Sequence, residues 1–185
     1  MVVSVDPTGN KAIQVREGST YLAADVVPCF MYRLYYDVFD FQPLYHEGIQ
    51  LRPPSGPPIV NWPQQNYERG VEKNEATGRR FKRIVRAIKR LENEMVGKGF
   101  TGEIPSFLTE CLVYNAPDSY FGGDSYFDNA TSVLERIYAG TLYDGDYKDW
   151  VEVSGLKWLF APGQRWSREQ AHEFGGRALD YLDPY

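Results

Sequence analysis

A chain of 185 residues is long enough for one domain, or for one large and one small lobe, and it can bury a sizeable core. Apolar residues make up 43% of it, with 14 Tyr, 10 Phe and 4 Trp, which excludes a disordered polymer. A net charge of −5 excludes a protein that binds nucleic acid through bulk positive charge.

Two further classes are excluded by the scarcer residues. The 2 Cys (Cys29 and Cys111) form no CxxC, and the 2 His (His46 and His172) stand apart, so no zinc site is expected. Both cysteines lie in apolar segments and read as buried free thiols of a reducing compartment. The opening "MVVSVDPTGNK" lacks the basic and apolar regions of a signal peptide. No apolar run approaches the roughly 20 residues that span a bilayer. A cytoplasmic protein is the expectation.

In chain order, "KAIQVRE" and "STYLAADVVPCFMYRLYY" read as two strands joined by a turn at Gly18. The second carries one carboxylate, Asp25, inside an otherwise apolar stretch. If buried without a partner, that carboxylate would cost several kcal/mol, on the order of magnitude of a desolvated ion, so a role is expected for it. The following "EGIQLRPPSGPPIVNWPQQN" is rich in proline and reads as a loop with one short strand pair, around 48–51 and 58–60, and no helix.

From Thr77 the period changes. Phe81, Ile84, Val85, Ile88, Leu91 and Met95 fall on one face of a helix, with Thr77 as its predicted N-cap and Gly97 to Gly99 as its stop. "IPSFLTECLVYNAP" predicts a second helix opened by Pro105. "DNATSVLERIYAGTL" predicts a third, with Leu134, Ile137 and Tyr138 inward. "SREQAHEFGGRALDYL" predicts a fourth, whose Ser167 and Gln170 form a capping box. Between the last two, "WVEVSGLKWLF" reads as an extended segment or turn with Trp150, Trp158 and Phe160 buried.

The first of these helices is also the chemical one. Between Arg79 and Arg90 lie seven basic residues and no acid, with Lys82, Arg86 and Lys89 on one stripe. Like charges at that spacing repel by tenths of a kcal/mol, about 0.2–0.5 per pair. Such a stripe suits a polyanion, either nucleotide phosphates or an RNA backbone. Asp25 then has two readings: a structural salt bridge to the basic helix, or a ligand of Mg²⁺ bridging a triphosphate held by that helix.

The segments "ADVVPCF", "GIQL", "IVNWPQQNYERGVEKNEATGRRFKRIVRAIKRL" and "IPSFLTECLVYNAP" together resemble the later part of the cGAS/DncV-like nucleotidyltransferases, relatives of oligoadenylate synthetase. The resemblance runs from about Lys11 to Tyr181. It implies that Asp25 is the third metal-binding, catalytic carboxylate and that Lys89 and Ser106 hold the donor triphosphate. Lys82 and Arg86 then add positive field, and Asn61 and Trp62 occupy a loop near the acceptor. One departure matters. The family's glycine-serine turn opening a helix, followed by two acids spaced D-x-D or E-x-D, has no counterpart. Gly18 and Ser19 precede a strand, Asp37 and Asp40 are spaced by three, and Asp144 and Asp146 sit in a late turn.

The expected fold is therefore α+β. A partial mixed sheet of a nucleotidyltransferase palm (1–65) packs against a helical nucleotide-binding lobe (66–185). The implied parent activity uses nucleoside triphosphates and Mg²⁺ or Mn²⁺ to make cyclic or oligonucleotide messengers for antiviral signalling. The chain itself is expected to be truncated and weakly active or inactive, with one of three metal carboxylates. The alternative is a non-catalytic nucleotide- or RNA-binding module. Pairing through an exposed sheet edge is an expected route to a homodimer. Glu110 is expected to pair with the basic helix, and Tyr114 and Asn115 are candidates to line a base pocket.

Overall fold

The structure, a computed structural model, describes residues 5–6, 12–16 and 22–182. It divides into two compact units, 1–64 and 65–185. The class is α+β, as expected. The first unit carries strands and the second carries helices.

Among the described residues, the first unit holds two three-stranded sheets. In one, β1 (Val5–Asp6), β2 (Ile13–Val15) and β3 (Ala24–Val26) pair in order, with Gln14 opposite Asp25. In the other, β4 (Phe30–Phe39) and β5 (Gln42–Leu51) form a long hairpin, and β6 (Ile59–Asn61) pairs with the end of β5. Every ladder among the described residues is antiparallel, where a mixed sheet was expected. The strand expected to run on from Ser19 is broken at Pro28, which donates no ladder hydrogen bond, so Ala24–Val26 and Phe30–Phe39 belong to different sheets. The expected turn at Gly18, and Ser19 beside it, lie outside the described residues.

At the hairpin tip Asp40 and Phe41 take positive φ, 47° and 62°. A bulge between Tyr35 and Asp37 shifts the register, and Asp37 lies on β4 while Asp40 lies in the turn that follows it. Gly48 is required where the hairpin passes Trp62. A Cβ there would meet the Trp62 ring at 2.5 Å, and Tyr32 packs edge-on to the same ring, centroids 5.6 Å apart.

The helix α1 (Pro63–Ala76) starts inside the segment expected to be helix-free. Proline suits the first helical position, where its missing N–H has no partner in any case. Gly78 and Arg79, at φ 58° and 64°, then turn the chain into α2 (Phe81–Gly97). The N-cap of α2 is Arg80 rather than Thr77. Thr77 nevertheless acts on the same end: its Oγ1 accepts the Phe81 N–H at 3.0 Å, and Asn74 Oδ1 accepts the Lys82 N–H at 3.1 Å. The C-terminal turn of α1 thus caps α2.

The core of the second unit is the apolar face of α2, with Phe81, Ile84, Ile88 and Met95 fully buried, against α3 (Ser106–Tyr114), α4 (Tyr126–Gly140) and α5 (Arg168–Leu182). Helix α2 stops as expected, with the Phe100 N–H donating to the Met95 carbonyl and Gly99 at φ 69°. The capping box of α5 is present: the Gln170 N–H donates to Ser167 Oγ and the Ser167 N–H to Gln170 Oε1. Helix α4 has one too, between Ser125 and Asp128. Leu134 and Ile137 are buried as expected, but Tyr138 is 40% exposed and stacks on His172, centroids 4.5 Å apart. The segment before α5 is a turn closed by a Val151–Trp158 bridge. Trp150 is buried there and Phe160 half-buried, while Trp158, expected to be buried, is exposed.

Of the two cysteines, Cys111 is buried in the helical core as expected. Cys29 is exposed, lying in the break between β3 and β4 rather than inside a strand.

Candidate functional site

Lys89 leaves α2 one turn before its buried Glu92 and meets α3, where its Nζ lies 3.6 Å from Glu110 Oε2. Glu110 sits one helical turn after Ser106, so Lys89 and Ser106 share one side of α3. The Ser106 side chain is exposed and Lys89 half-buried. Helix α3 begins without a side-chain cap, since Pro105 holds the N-cap position, and its first turn contains no acid. The Leu108 and Thr109 N–H groups turn back to the Pro105 carbonyl. A lysine ammonium and a serine hydroxyl on one side of a helix whose start has no side-chain cap are donors suited to phosphate oxygens.

The other predicted residues of the basic helix separate into two groups. Lys82 and Arg86 follow the same stripe as Lys89. The Lys82 Nζ lies 5.8 Å from the Tyr67 ring centroid, and the Arg86 Nε donates to the Lys82 carbonyl at 3.0 Å. Arg80 belongs to the structure instead: its Nη1 donates to the Phe121 and Gly123 carbonyls at 2.8 and 2.6 Å. Arg83 bonds the Tyr126 hydroxyl. Sequence spacing alone does not separate these roles, because the acceptors come from residues some forty positions away.

Asp25 lies in the first unit, on β3, and its side chain is exposed rather than buried. The expectation of a desolvated acid fails because its neighbours Leu22, Val26 and Val27 are themselves exposed. No group of three or more His, Cys, Asp or Glu able to hold a metal occurs among the described residues. Asp25 alone therefore does not fit a resident metal pair, although a single carboxylate suits one coordination position on Mg²⁺.

Several lesser candidates are structural. Asn115 donates to the Cys111 and Val151 carbonyls and accepts the Val151 N–H, so its amide is fully used in tying α3 to the turn before α5. Tyr114 packs edge-on to Phe81. Asp146 pairs with Arg136, and that guanidinium holds its carboxyl below the usual aspartate range. The residue that sequence reasoning missed is Glu92, 4% exposed, which accepts the Ile104 N–H just before α3 and the Thr109 hydroxyl within it. Its signal was an acid placed four residues after Ile88 and three before Met95, on the apolar face of α2.

Residues 68–183 match the family model for the cGAS/DncV-like nucleotidyltransferase C-terminal helical domain. A cyclic dipyrimidine nucleotide synthase, CdnE, of Legionella pneumophila is 45% identical over 176 residues, covering 94% of this chain and 58% of the relative. A cyclic dipurine nucleotide synthase of Elizabethkingia meningoseptica is 33% identical over 175 residues, again 94% and 58%. Among solved structures, the Rhodothermus marinus CdnE c-UMP-AMP synthase with Apcpp and Upnpp superposes with a TM-score of 0.83 at 33% identity, covering 98% of this chain and 60% of that one. The chain thus spans about three fifths of the length of these relatives. By the match of its second unit and by these identities, it belongs to the cGAS/DncV-like nucleotidyltransferases.

Proposed function

We propose that the chain is part of an enzyme that joins nucleoside triphosphates into a cyclic dinucleotide or short oligonucleotide signal, and that its second unit holds the donor triphosphate. The observation that carries this reading is the approach of Lys89 to Glu110, one turn from Ser106. It sets a cation, a hydroxyl and an uncapped helix start on one side of α3. The names of the relatives support the product class, and the analogues named with the Rhodothermus protein support triphosphate substrates.

In this reading Lys89 and the first amides of α3 neutralise charge on the departing pyrophosphate. Lys82 and Arg86 raise the local potential, which concentrates the polyanion before it docks. Asp25, in the first unit, would give one oxygen ligand to a Mg²⁺ ion, and the ion when bound would supply charge stabilisation for phosphate chemistry. The two further carboxylates that the resemblance implies for such a centre would have to be supplied from elsewhere in this reading. The signal, as the resemblance implies, serves antiviral defence.

The test is titration of this chain with Apcpp and Upnpp in Mg²⁺, beside Lys89→Ala and Ser106→Ala. A hydrogen bond to a charged group contributes about 1.5–3 kcal/mol, so Lys89→Ala should weaken binding by roughly tenfold or more. Asp25→Asn should reduce only the Mg²⁺-dependent part. Binding that ignores both Lys89→Ala and Ser106→Ala overturns the reading.

A further inference from the structure

The carboxylate of Glu92 is buried, yet no ion pair to it occurs among the described residues. Its two oxygens are used separately. Oε1 accepts the backbone N–H of Ile104 at 3.0 Å, and Oε2 accepts the Thr109 hydroxyl at 3.1 Å. Ile104 lies two residues before Ser106 and Thr109 three residues after it. The carboxylate therefore brackets the start of α3 on both sides of Ser106. On its own helix, Glu92 is three residues on from Lys89, one turn along the same flank of α2.

From this geometry we infer that Glu92 is a positioning residue. It locks the start of α3 onto α2 so that the Ser106 hydroxyl, the uncapped amides and the Lys89 ammonium hold one phosphate-binding spacing. The inference rests on the triphosphate reading above. A buried acid is a costly way to join two helices, since an apolar pair of the same volume packs without desolvating a carboxylate. What the acid adds is direction. Two hydrogen bonds to one rigid group fix both the rotation and the height of the helix start, which apolar contact leaves adjustable. Phosphate donors that are off by about an ångström lose much of their effect. Helix α3 has no side-chain cap of its own to do this. The bracket is thus the side-chain device that anchors its start while leaving its first amides open.

The experiment uses the 185-residue chain with Apcpp and Mg²⁺, measuring affinity and far-ultraviolet circular dichroism together. Thr109→Val keeps the shape and removes one bond, so affinity should fall about three- to tenfold, the range of one hydrogen bond. Glu92→Leu should lose at least as much. Glu92→Gln should restore affinity, because the amide oxygen keeps the Ile104 bond and its NH₂ donates to the Thr109 hydroxyl, which then accepts. In a Lys89→Ala background neither Thr109→Val nor Glu92→Leu should weaken binding further, because there is then no lysine left to position. Folded Thr109→Val and Glu92→Leu proteins that bind like the parent overturn the inference. So does a loss that persists undiminished without Lys89, which marks a general loss of structure. If Glu92→Leu does not fold, Thr109→Val decides alone. Loss of binding in none of the variants, Lys89→Ala included, sinks the triphosphate reading and this inference with it. Loss with Lys89→Ala alone sinks only the inference.

Discussion

Thr77 Oγ1 accepts the backbone N–H of Phe81 at 3.0 Å while its hydroxyl donates to the Lys73 carbonyl at 2.8 Å, so one side chain ends α1 and begins α2. Thr77 is 6% exposed, and water cannot replace either bond. Thr77→Val should destabilise the second unit by about 1–2 kcal/mol, the range for losing a cap. Thr77→Ser should recover most of it. Urea denaturation followed by circular dichroism reads both, and a Val variant as stable as the parent would remove Thr77 from the joint.

The two thiols predict opposite behaviour. Cys29 is exposed, whereas burial pushes the Cys111 thiol far above its ordinary range and out of reach of solvent. In native protein at pH 8, a maleimide should label Cys29 and spare Cys111. In denaturant both should react. Mass spectrometry of the labelled peptides gives the answer, and native labelling at Cys111 would contradict the packing of α3.

Acid should act on the Arg136–Asp146 pair at the end of α4. The Asp146 carboxyl titrates below its usual value, chiefly because Arg136 donates to it. A depressed carboxylate adds stability that is complete above its unfolded value, near pH 4, and that is lost as pH falls through the folded value. Arg136→Met should therefore cost most at neutral pH, and the gap should close below about pH 4. Asp146 is largely exposed, so the gap is at most about 1 kcal/mol. A difference that grows with acid would reverse the assignment.

Gly140, the last residue of α4, is closed to any side chain. A Cβ there would overlap the Trp150 ring and come within 2.6 Å of an Arg136 guanidinium nitrogen. Gly140→Ala removes helix-end flexibility, normally a gain, yet should destabilise by about 1–3 kcal/mol through overpacking. Thermal melts of Gly140→Ala and Gly97→Ala make the comparison, since Gly97 has open space around its Cβ position and should be neutral or slightly stabilising.

Legibility in the sequence followed physical contrast. Helix α2 was readable because its apolar stripe is strong, and Phe81, Ile84, Val85, Ile88 and Met95 are all buried. Helix α1 was not, because Gly70 is its only fully buried residue and its polar face carries no period to detect. Lys89 and Ser106 were singled out through the resemblance and Glu110 by its place one turn after Ser106, and the structure pairs Lys89 with Glu110 as expected. Glu92 was overlooked because its partners are a backbone amide and a threonine, neither of which announces itself at a distance in the chain. Asp25 was misjudged for the opposite reason: apolar neighbours in sequence are not burial.

The β4–β5 hairpin has a consequence for handling the molecule. Phe30, Met31, Tyr35, Val38, Phe39 and Phe41 are each more than half exposed, on a ribbon that is apolar on both sides. Each such side chain left in water forgoes roughly 1.5–3 kcal/mol of transfer free energy. Colloidal behaviour should therefore be governed by about a dozen residues of the first unit rather than by the net charge of the whole. Chilling weakens the attraction between such surfaces and sulfate strengthens it. The protein should accordingly stay dispersed in cold, low-sulfate buffer and cloud on warming, and charged substitutions along that ribbon should raise the clouding temperature with the helices untouched.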